Sequence, residues 1–130
     1  MNNKKIGNAT EKKLCELLQQ KGFWVHLMAY NSNGQPCDVI ALKNNWPLLL
    51  DVKHCSGKRF EVKNIQPNQI ETFRYLKQSN NIGTTCGFAI YSEVHQDWFW
   101  LSAEKVIYGK LKSYDLLELK RFKDVYEMYN

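Results

Sequence analysis

Leu14, Leu17 and Leu18 recur at helical spacing between an Asn/Thr-rich start and Gly22, which predicts an amphipathic helix over Asn8 to Gln20. The period then changes. Phe23 to Tyr30 is aromatic and β-branched, Asn31 to Pro36 is a cluster of turn formers, and Cys37 to Leu42 resumes as a second strand. Lys43-Asn44-Asn45 is a tight polar turn, and Pro47 to His54 carries the unbroken run Leu48-Leu49-Leu50 of a strand buried on both faces. After the basic loop Ser56 to Arg59, a second helix spans Asn68 to about Ser79 with Ile70, Phe73 and Leu76 or Lys77 on one side. Thr84 to Tyr91 and Trp98 to Ser102 read as two more strands joined by a turn at Glu93 to Asp97, giving the order αβββαββ. Past Ser102, Asp115 and Glu118 are spaced as a capping box for a terminal helix carrying Leu117, Phe122, Val125 and Tyr129.

This pattern fits one domain over residues 1–130, with a core of about 7–101 and a C-terminal extension over 102–130. With 44% hydrophobic residues the chain can bury a core, which excludes a disordered tail. No apolar run approaches the ~20 residues of a membrane span, so a soluble cytoplasmic protein with no membrane partner is expected. A net charge of +5 suits a polyanion. Lys4, Lys5, Lys12, Lys58, Arg59, Lys63 and Arg74 are the candidate phosphate contacts. Cys15, Cys37, Cys55 and Cys86 are separated by 22, 18 and 31 residues, which matches no zinc knuckle and reads as buried free thiols.

Three acids stand where acids are costly. Glu11 lies three residues before Leu14 and seven before Leu18, on the apolar side of its helix. N-terminal dipole stabilisation would place a glutamate there without preferring that side. Asp38 opens the second strand, and Asp51 ends the leucine run with Lys53 two residues on, on the same strand face. Buried charges need pairing or a metal, so the choice is a structural salt bridge or a hydrolytic site. In the second case Asp38, Asp51 and the Val52 carbonyl would hold Mg²⁺ while Lys53 acts on the attacking water. The tripeptide alone is weak: about one and a half acid-x-Lys matches are expected by chance, and four occur. Two lie on predicted helices, where positions two apart do not face each other. That leaves Glu61-Val62-Lys63 as the rival, at 23 residues from Asp38 against 13 for Asp51.

In this order, Gly7-x-x-x-Glu11, the Ser32 to Gly34 loop, Pro36-Cys37-Asp38-Val39-Ile40-Ala41, Asp51-Val52-Lys53 and Asn68-Gln69-Ile70-Glu71 resemble the PD-(D/E)XK nuclease superfamily. Within it, the chain is similar to the Holliday junction resolvases of archaeal type and of Gram-positive bacteria and their phages, over roughly Gly7 to Leu101. The resemblance implies a restriction-endonuclease-like α/β (α+β) fold with a central mixed sheet flanked by helices. It implies an active site of Glu11, Asp38, Asp51 and Lys53, with Glu11 also near the metal and Gln69 orienting the attacking water. The cofactor would be Mg²⁺, with Mn²⁺ an alternative, and Ser32 and Asn33 would touch DNA. The expected activity is hydrolysis of four-way junctions by a homodimer, in a bacterial or phage setting. Trp98, Phe99 and Trp100, three aromatics in a row, offer a self-association surface. The chain departs from the pattern in having Cys37 between Pro36 and Asp38, Asp51 where Glu is commoner, and thirty unmatched C-terminal residues. Other readings are a nuclease of duplex or flapped DNA and a non-catalytic nucleic-acid-binding module.

Overall fold

The computed structural model describes residues 3–28, 37–79 and 84–129, with side chains from residue 6 onward. Helix α1 (Asn3–Gln20) starts earlier than Asn8. Thr10, Leu14 and Leu18 form its buried stripe. It ends in a Schellman motif, in which Phe23 N–H donates to Leu18 O and Gly22 N–H to Gln19 O, both at 3.0 Å. Gly22 takes the left-handed conformation this needs (φ 89°). Strands β1 (Trp24–Leu27), β2 (Val39–Lys43) and β3 (Trp46–Cys55) form the expected antiparallel meander. The β2–β3 turn has two residues, Asn44 (φ 54°) and Asn45 (φ 68°), the left-handed pair of a type I′ hairpin.

Between the basic loop and the second helix, a stretch for which the sequence predicts no element, lie a short strand, β4 (Arg59–Glu61), that begins on the last loop residue, and one 3₁₀ turn, Val62–Asn64. Helix α2 (Pro67–Gln78) begins one residue earlier than expected, with proline in its first turn. It carries the chain across so that β5 (Thr85–Ser92) lies parallel to β3, and β6 (Asp97–Ser102) returns antiparallel. The αβββαββ core is therefore present, within a mixed sheet ordered β1-β2-β3-β5-β6 and closed at its far edge by a C-terminal strand, β8 (Lys120–Arg121).

Beyond Ser102 the expectation needs correction. Helix α3 (Ala103–Tyr108) follows directly, β7 (Ser113–Asp115) pairs with β4, and β8 (Lys120–Arg121) forms the outer edge beside β6. Asp115 does cap, accepting from Leu117 N–H at 3.0 Å, but only the 3₁₀ turn Leu116–Glu118. The terminal helix is α4 (Phe122–Tyr126), seven residues later. Leu117, predicted for its apolar side, is 64% exposed, whereas Phe122, Val125 and Tyr129 are buried. One core lies between the sheet and α1 with α4, and the other holds the α2 and α3 side together with Tyr114, Leu116 and Leu119.

Both faces of β6 are thereby covered. Trp98, Phe99 and Trp100, which the sequence offered as an exposed surface, are all buried, because Trp98 and Trp100 enter the first core and Phe99 the second. If the C-terminal residues are integral to folding, Phe122→Ala should cost about 3–5 kcal/mol in denaturant unfolding. Leu117→Ala should stay within about 0.5 kcal/mol of wild type.

Candidate active site

β2 stops short of the end of β3, and the site occupies the notch this leaves. The last β2–β3 pair at this end is Val39 with Leu50, and Asp38 N–H still donates to Leu50 O at 3.0 Å. Two residues further along β3, the Val52 N–H would face an empty sheet edge. Asp38 Oδ2 accepts from it instead, at 2.8 Å, so the aspartate replaces the missing strand. N–H and C=O of one strand residue point to the same side, so the Val52 carbonyl opens on this notch too.

Asp51 lies beside Asp38 and is almost fully enclosed, at 1% exposure. Its Oδ2 is buried with no hydrogen-bond donor. Burial foremost, and the charge of Asp38 next, push its carboxyl up from the ordinary value, with Lys53 opposing. Glu11 reaches the same field from α1. Its carboxyl is raised from 4.5 to about 7, by burial foremost and by the charge of Asp38 next, with Lys53 opposing. Lys53 Nζ in turn donates to Gln69 Oε1 at 2.9 Å. The same oxygen accepts from Gln66 N–H at 3.1 Å, so the first turn of α2 fixes the partner of the lysine.

Glu11, Asp38, Asp51, Lys53 and Gln69 therefore share one electrostatic neighbourhood, as the sequence predicts. No three acidic, His or Cys side chains among the described residues stand in a ready ligand cluster. The chemistry nevertheless fits a divalent cation: three carboxylates face one ammonium, and an orphaned buried oxygen awaits a partner. The rival tripeptide is split between the end of β4 and a 3₁₀ turn, so Glu61 and Lys63 do not share a strand face.

The predicted DNA contacts are dispersed. Lys12, Lys58, Arg59 and Lys63 are exposed, with Arg59 donating to Ser113 Oγ at 2.9 Å, whereas Arg74 is half-buried and paired with Glu71. Ser32 and Asn33 lie outside the described residues, as do the side chains of Lys4 and Lys5. Sequence reasoning missed Thr10, His54 and Glu93, which touch one another beside the site. Their signal was weak, because a histidine alternating out of a strand face has many ordinary explanations.

A mixed sheet between helices, with crowded carboxylates and a lysine at the edge of a central strand, defines a nuclease of the PD-(D/E)XK class. Residues 2–107 match the archaeal Holliday junction resolvase (hjc) family. The chain belongs to that family, and with it to a class of metal-dependent junction-resolving endonucleases. The structure is similar to that of Hjc, a Holliday junction resolvase from the archaeal hyperthermophile Archaeoglobus fulgidus. The TM-score is 0.71 at 16% identity, covering 92% of this chain and 99% of that one. No curated protein matches the sequence. The matching family is the archaeal one, so the bacterial or phage setting expected from the sequence finds no support in it. Among the described residues no helix is long and apolar enough to cross a membrane.

The raised Asp51 carboxyl has a thermodynamic consequence. A carboxyl whose folded pKa exceeds its unfolded one favours folding below the unfolded value and loses that contribution as pH rises through the folded value. With chelator present, Asp51→Asn should therefore gain on wild type between pH 5 and pH 8, by on the order of 2 kcal/mol. Thermal unfolding across that range measures it, and added divalent metal should stabilise wild type alone.

Proposed function

We propose that this resolvase hydrolyses one phosphodiester per subunit of a four-way DNA junction, with Asp38, Asp51, Glu11 and the Val52 carbonyl holding Mg²⁺. The observation that carries the reading is the buried Asp51 Oδ2 without a donor, beside Asp38 and within the field of Glu11 and Lys53. When bound, the cation would neutralise the excess carboxylate charge and stabilise the charge that develops on the phosphate. Mn²⁺, with similar oxygen-ligand preferences, is the natural substitute.

The remaining roles belong to the protein's own groups. Lys53, anchored on Gln69, presents an ammonium where negative charge builds up at the scissile phosphate. Gln69 has its oxygen committed to Lys53 and to Gln66, so it acts by orienting the lysine. This refines the expectation that it orients water. Asp38, tied to the Val52 N–H, holds one carboxylate oxygen at the strand edge. Lys4, Lys5, Lys12, Lys58, Arg59 and Lys63, with Ser32 and Asn33 in the adjoining segment, would carry the backbone contacts that hold the junction. Arg74, engaged by Glu71, contributes less.

Two symmetric nicks require two sites, so the active form is a homodimer on the two-fold axis of the junction. Its face is not the buried Trp98–Trp100 run. A groove of about 570 Å³ opens beside α2, lined by Leu49, Tyr75 and Leu76 among others, and Tyr75 is 72% exposed. By strand register, Trp24 and Leu42, also exposed, lie on the same sheet face as Leu49. A second copy covering this face would bury Tyr75, Trp24 and Leu42.

Incubation with a labelled four-way junction and a matched linear duplex, with Mg²⁺ and with chelator, tests the activity. Wild type should cut the junction only with metal. Asp51→Asn should lose at least about a hundredfold in rate while binding the junction as well or better, and Glu61→Gln should be nearly silent. Lys53→Ala should lose several orders of magnitude yet keep Mg²⁺ affinity by calorimetry, and a collapse of that affinity would make Lys53 structural. In sedimentation at micromolar concentration wild type should be a dimer, and Tyr75→Glu a monomer that cuts linear duplex no better than wild type does.

A further inference from the structure

The apolar packing of α1 against the sheet begins at Leu14, whereas Glu11 lies nearly one turn before it. Toward the N-terminus an open cleft of about 240 Å³ separates helix and sheet, lined by Ile6, Ala9, Thr10, Lys13, His54 and Tyr91. Packing alone therefore does not fix the height of Glu11 above Asp38 and Lys53. One continuous polar bridge crosses the cleft. His54 Nε2 lies 2.8 Å from Glu93 Oε2, its Nδ1 lies 3.2 Å from Thr10 Oγ1, and Thr10 Oγ1 donates to Ile6 O at 2.7 Å. Glu93 is held to the sheet by its own backbone, whose N–H donates to Cys55 O at 3.0 Å. Beside the bridge, Lys13 Nζ sits 4.4 Å from the centre of the Tyr91 ring, and that ring packs 5.8 Å from His54.

The register of these residues matters more than their number. Thr10 immediately precedes Glu11 on α1, and His54 immediately follows Lys53 on β3. Successive strand residues point to opposite faces, so β3 sends Lys53 to α2 and His54 to α1 from adjacent positions. The distance from Thr10 to His54 thus sets the distance from Glu11 to the Asp38 and Lys53 side of the notch. We propose that Thr10, His54 and Glu93 are positioning residues, a brace that holds Glu11 over the carboxylate site. They do not touch substrate or reacting atoms. The inference rests on the reading of Glu11 as a member of the nuclease site.

Thr10→Val keeps the shape of the side chain and removes the hydroxyl, and Thr10→Ser keeps the hydroxyl. With the brace in place as described, Thr10→Val and Glu93→Ala each lower kcat about tenfold or more, the usual scale for groups that orient metal-site ligands. The affinity for the junction under chelating conditions should stay within about twofold. Thr10→Ser should restore most of the rate. Mn²⁺ titrated into the DNA-free protein should show several-fold weaker binding for Thr10→Val than for wild type or Thr10→Ser. That calorimetric arm reads the position of Glu11 without cleavage, so it stands even if wild type proved unable to cut a junction, which would instead refute the proposed function. Unchanged kcat and unchanged Mn²⁺ affinity in a folded Thr10→Val protein would overturn the brace. So would parallel losses of stability, junction binding and rate that Thr10→Ser fails to rescue.

Discussion

The site depends on a single unequal pair of strands. β3 continues past Val39, the first residue of β2, and the backbone N–H exposed by that mismatch is satisfied by a carboxylate instead of a peptide carbonyl, at the Asp38 to Val52 contact of 2.8 Å. This fixes an anion at the edge of a sheet, and a second anion, Asp51, follows because it is the residue just before Val52. Two carboxylates forced together in a largely desolvated place cannot both be comfortable as anions, and burial together with mutual repulsion raises Asp51 accordingly. Glu11, descending from α1, worsens the crowding. The arrangement is costly for the protein alone and favourable for a protein that takes up a cation, which is the usual exchange of stability for function at such sites.

The helices supply the other half of the design. Because β3 and β5 are parallel, the chain must cross over between them, and the crossing helix is α2. Its first turn is stiffened by Pro67 and by the Gln66 to Gln69 contact. Lys53 donates its hydrogen bond to that turn, so a helix start required by topology also aims the Lys53 ammonium. On the opposite face α1 is pinned at its C-terminal end by Leu14, Leu18 and the Gly22 turn, and at its N-terminal end by polar contacts across a cleft.

Much of this was legible in the chain because the informative residues violate a local rule. An acid at the end of a leucine run and a glutamate on an apolar helix side each demand an explanation, and Asp38, Asp51, Lys53 and Glu11 do come together. The Leu48-Leu49-Leu50 run correctly announced a central strand, since Leu48 and Leu50 enter one core while Leu49 faces the other side. The misreadings fall where residues obey local rules for reasons of tertiary context. A strand as short as β4 or β7 has no period to detect, and each exists because its partner, about fifty residues away, completes it. Trp98, Phe99 and Trp100 read as a self-association surface because alternate strand residues cannot all face one core, whereas this sheet has a core on each face. The capping signal of Asp115 was real, but it caps a turn of three residues in which Leu117 stays exposed, and the helix it seemed to announce starts only at Phe122.

The substitution of aspartate for the commoner glutamate at position 51 follows from the same crowding. A glutamate there would carry its charge one methylene further from β3. Aspartate keeps the carboxylate at 1% exposure, against the strand, where no donor reaches its second oxygen. The shorter side chain therefore keeps that charge in a crowded, desolvated place beside Asp38, where burial and repulsion raise its carboxyl. Lys53 relieves that cost only in part, because its ammonium is also directed to Gln69 on the α2 side. The protein's own groups thus leave the Asp51 carboxylate under-compensated, beside the notch that opens where β2 begins.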